Sequence, residues 1–152
     1  MALRSIARKK FSLKLFAWDK TEPFPARNTS DPVWERVEVA LAEAFENDGF
    51  AILRMQSECV TFISELSFKA QSGRFRIVAL TNADDHKERL LEWWESEAAE
   101  FRGKIKLGDD EWDARTVCSD LSVAKRIFRE YLDSGNLSVG LENMRSPWRA
   151  PK

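Results

Sequence analysis

Residues Cys59 to Thr81 read CVTFISELSFKAQSGRFRIVALT. The stretch is rich in Val, Ile, Phe and Thr and is broken once, at Gln71-Ser72-Gly73. β-branched and aromatic residues suit a pleated, half-buried surface, and a short polar interruption carrying Gly is a hairpin signal. The reading is two strands, Cys59–Ala70 and Arg74–Thr81, joined by a tight turn. A chain committed to such a hairpin in its middle has an antiparallel sheet as its frame.

Strand signals extend in both directions from the hairpin. FAILRM, Phe50 to Met55, reads as a strand before it, and FSLKLFAW, Phe11 to Trp18, as the first strand, with Phe11, Leu13, Leu15 and Ala17 on one face. Between these two, KTEPFPARNTSDP is punctuated by Pro23, Pro25 and Pro32 and reads as a loop. Asp31-Pro32 is expected to open a helix, with Asp as cap and Pro at the first helical position. Trp34, Val37, Leu41, Ala44 and Phe45 then share a face, and Gly49 is expected to end the helix in the left-handed conformation.

Beyond Thr81 the segment NADDHKERLLEWWESEAAEFRG reads equally as a capped helix or as a further strand around ERLLEWWE, because short apolar runs carry no decisive period. Adjacent residues diverge on either element, so Trp93 and Trp94 cannot share one face; one of them is expected to be partly exposed or covered by the tail. KIKL (104–107), a turn at Gly108-Asp109-Asp110 and WDARTVC (112–118) read as a second hairpin. The last helix starts near Ser119 or Asp120, buries Val123, Ala124, Ile127, Phe128, Tyr131 and Leu132, and ends at Gly135. The expected fold is α+β: an antiparallel, mostly meander-like sheet with two helices packed on one face. The expected organisation is a single domain over 1–152, with a basic N-terminal segment (1–10) and an extended C-terminal tail (136–152).

With 152 residues the chain is long enough to bury a core without disulfides or metals. Its formal charge of −1 removes any global bias toward nucleic acid or anionic membrane. Locally the charge is uneven. Asp84 to Asp113 carries eleven acidic residues against five basic ones, a net of −6, whereas the N-terminus is basic. The acidic stretch reads either as a solvated surface or as a face that meets a basic partner. Cys59 and Cys118 are far apart and form no paired motif, which fits a cytoplasmic setting. No run approaches a membrane span, and the N-terminus lacks the apolar core of a secretory signal.

Catalytic signatures are sparse. His86 is the single histidine, and Asp84-Asp85-His86 does not direct three ligands at one centre. No Gly-rich phosphate loop or nucleophile elbow occurs. The expectation is no catalytic residue, no metal and no cofactor. Trp112, among Asp109, Asp110, Glu111 and Asp113, is either an interface anchor or a ring packed beneath its hairpin. Trp148 is expected to be a structural latch whose indole covers the sheet edge or the seam between helix and sheet; on that reading Trp148→Ala costs a few kcal/mol.

The order of these elements resembles a known family. A Gly-led strand (Gly73-Arg74-Phe75-Arg76-Ile77-Val78) and a bulky apolar segment lead to Lys104–Gly108. A strand ending in Val117 follows, then an Asp120-led helix with Ala124 and Phe128, Ser134-Gly135 and a late Trp148. Together with the early Trp34-x-x-Val37-x-x-x-Leu41 helix, the pattern over residues 30–148 resembles small bacterial immunity proteins of polymorphic and contact-dependent growth inhibition toxin systems. The resemblance implies a non-enzymatic, cytoplasmic inhibitor that binds a cognate toxin domain and blocks its active site. Many such toxins are nucleases, so an acidic face would stand in for phosphate. From charge and position, the expected contact residues are Asp84, Asp85, Glu88, Asp109, Asp110, Glu111 and Asp113, with Trp112 as anchor. No nucleic acid or membrane partner is expected, and a monomer is favoured. The alternatives are a small carboxylate-using hydrolase and a non-catalytic regulatory or scaffold module.

Overall fold

The computed structural model describes residues 11–18, 26–56, 61–96 and 98–149. The basic segment 1–10, residues 20–25 of the Pro-rich stretch and Cys59 lie outside them. The elements in chain order are β1 (Phe11–Ala17), β2 (Arg27–Ser30), α1 (Trp34–Asn47), β3 (Gly49–Met55), β4 (Ile63–Gln71), β5 (Arg74–Thr81), β6 (Leu90–Trp93), β7 (Lys104–Leu107), β8 (Asp110–Asp113), α2 (Leu121–Ser134) and β9 (Met144–Arg145). Seven strands form one antiparallel sheet in the order β2-β1-β3-β4-β5-β6-β9, and β7 and β8 form a separate ribbon. This is the expected α+β architecture.

The central hairpin forms as its sequence demands. Ser72 and Gly73 both take positive φ (54° and 75°), the turn whose twist matches the flanking strands. Its register pairs Leu66 with Ala79, Phe68 with Ile77 and Ala70 with Phe75 on one face, and Ser67 with Val78 and Lys69 with Arg76 on the other. Both helices cover the first face. Phe128 of α2 meets Phe68 edge-on at 6.4 Å, Tyr131 meets Phe11 at 5.1 Å, and Phe45 of α1 meets Phe75 at 6.0 Å. The Tyr131 hydroxyl donates to the Ile63 carbonyl at 3.1 Å, which satisfies the one polar atom of the largest fully buried side chain.

Several local expectations are corrected. Asp31 does not cap α1. It takes φ 47°, its N–H donates to the Phe11 carbonyl at 2.8 Å, and its Oδ1 accepts from the Phe11 N–H at 3.2 Å, so it closes the end of the β1–β2 ladder. Val33 stands at the helix N-cap with no side-chain bond. Asp48, not Gly49, ends α1 in the left-handed conformation; its Oδ1 accepts from the Ser72 N–H at 2.8 Å, tying the helix end to the hairpin turn. Strand β2 falls where a loop was expected. RNTS has no apolar residue because an edge strand on a solvated rim needs none. The open choice after Thr81 resolves as a 3-10 turn at His86–Glu88 followed by a strand. In the second hairpin the strand is Asp110–Asp113, and residues 114–116 turn into a 3-10 helix instead of continuing to Cys118. Helix α2 matches expectation at both ends: Asp120 Oδ1 accepts from the Ser122 N–H, and Gly135 closes the helix.

Trp93 and Trp94 diverge as geometry requires, yet both are buried, at 7% and 3% exposure. Trp93 faces the helices. Trp94 faces the opposite side of the sheet, with the guanidinium of Arg115 at 5.1 Å and that of Arg145 at 5.3 Å from its ring centre. The tail also bonds Trp94 directly, because its N–H donates to the Asn143 carbonyl at 2.7 Å. Among the described residues no helix is long and apolar enough to cross a membrane.

Candidate partner-binding surface

The acidic residues expected to form one face are divided between two places. Asp84, Asp85 and Glu88 lie on the β5–β6 loop, just past Thr81. Asp109, Asp110, Glu111 and Asp113 lie on the β7–β8 ribbon, whose tip docks at the other end of β5. There Gly108 N–H donates to Gln71 Oε1 at 2.7 Å, and a Cβ on Gly108 would come within 2.6 Å of the Trp18 ring. The eight residues of β5 separate the two groups by roughly 23 Å at 3.3 Å per step.

Two acids of the ribbon group stand opposite or beside bases. Glu111 pairs in register with Lys106, and Asp113 with Lys104. Asp113 also accepts from Arg115, at 3.0 Å from Nε and 2.7 Å from Nη2. Those Arg115 hydrogen bonds hold the Asp113 carboxyl below its usual range. Trp112 is half-buried, with its ring stacked under the Arg76 guanidinium at 3.7 Å. Arg76 in turn bonds Glu92 at 2.7 Å and Thr116 Oγ1 at 3.4 Å. Trp112 therefore fastens the ribbon to the sheet, which is the packed alternative of its two readings. Burial raises the Glu92 carboxyl, and the adjacent Arg76 opposes that rise.

The loop group has different neighbours. Asp85 Oδ1 accepts from the Lys87 N–H at 3.0 Å and shapes the 3-10 turn. The next carbonyl along, that of Lys87, accepts from Ser146 Oγ, and Ser146 Oγ accepts from the Trp148 N–H at 3.2 Å. One hydroxyl thus joins the acidic loop to the tail. Ser146 is 1% exposed, while the Trp148 side chain it positions is 73% exposed. The latch expected at Trp148 is overturned: Ser146 closes the tail, and the indole points to solvent.

Trp148 is not alone on this edge. The 147–149 turn rests against β6, where Leu90 is exposed. Leu90 pairs across strands with Leu80, also exposed, and the exposed Phe62 meets the same sheet end through the Asn82 N–H to Phe62 carbonyl bond at 2.8 Å. Four exposed apolar residues thus fall on segments that meet at the end of the sheet from which the loop of Asp84 and Asp85 departs, a composition suited to a binding hot spot with a charged rim. Phe62, Leu80, Leu90 and the exposure of Trp148 were missed from sequence. One signal was present: in RFRIVALT, alternation puts Leu80 on the same side as Arg76 and Val78, away from the helices.

Among the described residues, the cysteine and the histidine stay apart. Cys118 bridges to Phe75 at the start of β5, and His86 follows the end of that strand. Burial raises the Cys118 thiol, so it rests protonated. Among the described residues no three His, Cys, Asp or Glu side chains are grouped to hold a metal.

The chain belongs to a family of unknown function, DUF6911, whose model matches residues 17–141. None of the curated proteins matches the sequence. Among solved structures the fold is similar to that of a hypothetical protein from Neisseria gonorrhoeae, with a TM-score of 0.67 and 10% sequence identity, covering 91% of this chain and 97% of that one. At that identity the likeness is one of fold.

Proposed function

We propose that this chain is an immunity-type inhibitor that binds a cognate toxin domain in the cytoplasm and covers its active site or substrate groove. The observation that carries the reading is the exposed Trp148 indole on a backbone pinned by buried Ser146, beside exposed Leu90 and Leu80. An aromatic anchor held in place before binding loses little conformational freedom on docking, and this is what makes such residues dominate interface energies. Asp84 and Asp85 on the adjoining loop supply the negative rim that steers a basic partner and speeds encounter. The expected anchor therefore moves from Trp112 to Trp148, and the contact set from both acidic groups to the loop group. Asp109, Asp110 and Glu111 lie at the far end of the sheet and are outside this contact. In this role the chain needs no cofactor and acts as a monomer.

The test is a calorimetric titration against the C-terminal domain of the protein encoded immediately upstream, at low and high salt. Tight binding is expected, weakening with salt. Trp148→Ala is expected to weaken it by about 30-fold or more, as for a central aromatic worth about 2 kcal/mol or above. Absence of binding between two folded proteins would reject the reading.

A further inference from the structure

A cleft of about 330 Å³ opens on the helix side of the sheet, between α2, the 138–143 turn and Trp93. Its walls are mostly apolar: Trp93, Val123, Ile127 and Val139. The turn is held off the helix by one carboxylate. Glu130 accepts from Ser138 Oγ at 2.8 Å, from the Val139 N–H at 3.1 Å and from the Gly140 N–H at 2.9 Å. Successive N–H groups converging on an anion make a compact, rigid turn, and Glu130 is occupied by it. Asn143 is also engaged, its Nδ2 donating to the Trp94 carbonyl at 3.0 Å.

One charged group on the cleft makes no ion pair among the described residues, although it lies near enough to Asp120 to join the Ser122 hydrogen bonds in lowering that carboxyl. The neighbouring cations of α2 have carboxylate partners: Lys125 with Glu38 at 3.4 Å and Arg129 with Asp133 at 3.6 Å. Arg126, exposed on the cleft wall, makes no ion pair among the described residues. A guanidinium presents a planar fork that matches a carboxylate with two parallel hydrogen bonds.

We infer that this cleft binds a small amphipathic monocarboxylate, its apolar body against Trp93, Val123 and Ile127 and its carboxylate on Arg126. The sign follows from the inventory: the negative group is consumed by the turn, and the positive group has no ion-pair partner within contact distance among the described residues. The size follows from the volume, which admits on the order of ten non-hydrogen atoms at about 30 Å³ each. An aryl or branched-chain acid fits this description, and a long acyl chain does not. The inference does not rest on toxin binding: the lining residues belong to α2, the 138–143 turn and Trp93 of β6, and none is on the β5–β6 loop.

The experiment is saturation-transfer NMR and calorimetry on the full chain with 3-phenylpropanoate, 3-phenylpropylamine and acetate. Phenylpropanoate is expected to bind saturably and to shift the Trp93 indole resonance, with the amine and acetate weaker by about tenfold or more. Arg126→Gln, an exposed change that leaves the fold intact, is expected to cost about tenfold in the affinity for phenylpropanoate alone. Val123→Trp, which fills the cleft, is expected to abolish binding. No saturable binding at millimolar concentration overturns the inference. So does equal affinity for acid and amine, or an Arg126→Gln variant that binds phenylpropanoate as the parent does.

Discussion

Ser146 Oγ donates to the carbonyl of Lys87, 59 residues earlier in the chain, and accepts from the N–H of Trp148 at 3.2 Å. A side chain of one hydroxyl fixes both the end of the sheet and the direction of the exposed indole. Ser146→Ala removes a part-buried hydrogen bond to the Lys87 carbonyl, at a cost of about 1 kcal/mol. The thermal midpoint is expected to fall by several degrees, and indole anisotropy at Trp148 to fall with it. An unchanged midpoint would show that the tail is held by β9 pairing instead.

Trp148→Ala separates stability from recognition. An exposed indole contributes little to folding, so the variant is expected to keep its denaturation midpoint within about 0.5 kcal/mol of the parent. Toxin binding is expected to fall sharply in the same preparation. A midpoint loss near 3 kcal/mol, the size of a buried aromatic truncation, would restore the latch.

The contrast between Ser146 and Trp148 shows where the sequence was legible. Helix α2 and the β4–β5 hairpin depend on neighbours in the chain: the Asp120 cap, the apolar period through Tyr131, the Ser72-Gly73 turn. These were readable. Strand β2 depends on β1 for its ladder and has no apolar signature of its own. Trp94 is buried by Arg115 and Arg145, which are distant in sequence. The acidic residues illustrate the same limit. Asp85 and Asp110 are near in composition but occupy opposite ends of β5, because the ribbon folds back to Gln71. The exposed group at Phe62, Leu80, Leu90 and Trp148 draws on four segments and exists only after folding.

The buried Arg76–Glu92 pair makes a double-mutant prediction. Glu92→Gln leaves the guanidinium stacked over Trp112 without its counter-charge and is expected to cost about 3–5 kcal/mol. Arg76→Met combined with Glu92→Leu removes both charges and their desolvation, and is expected to fall within about 1 kcal/mol of the parent or above it. Urea midpoints of the two single variants and the double decide the matter. If the double is as unstable as Glu92→Gln, the Trp112–Arg76 stack at 3.7 Å is holding the ribbon on the sheet, beyond the charge pairing itself.

Glu130 gives the stability profile a definite acid limb. Partial burial acts to raise its carboxyl, but hydrogen bonds from the Gly140 N–H, the Ser138 hydroxyl and the Val139 N–H outweigh it and hold the group below the ordinary glutamate value. A carboxyl depressed in the folded state stabilises the fold above its unfolded pKa, and that contribution is lost as pH falls through the folded pKa. Glu130→Gln keeps the shape and removes the charge. At pH 7 it is expected to be less stable than the parent by about 1–2 kcal/mol, the scale of hydrogen bonds to a charged acceptor. As the pH is lowered from the ordinary glutamate range through the depressed value, the gap between the two urea midpoints is expected to close. Glu92, raised by burial, titrates with the opposite sign in both proteins and drops out of this difference. A gap that stays constant down to pH 2 would mean that the turn is held by packing on Ile127 and Leu137, with the Glu130 charge contributing nothing.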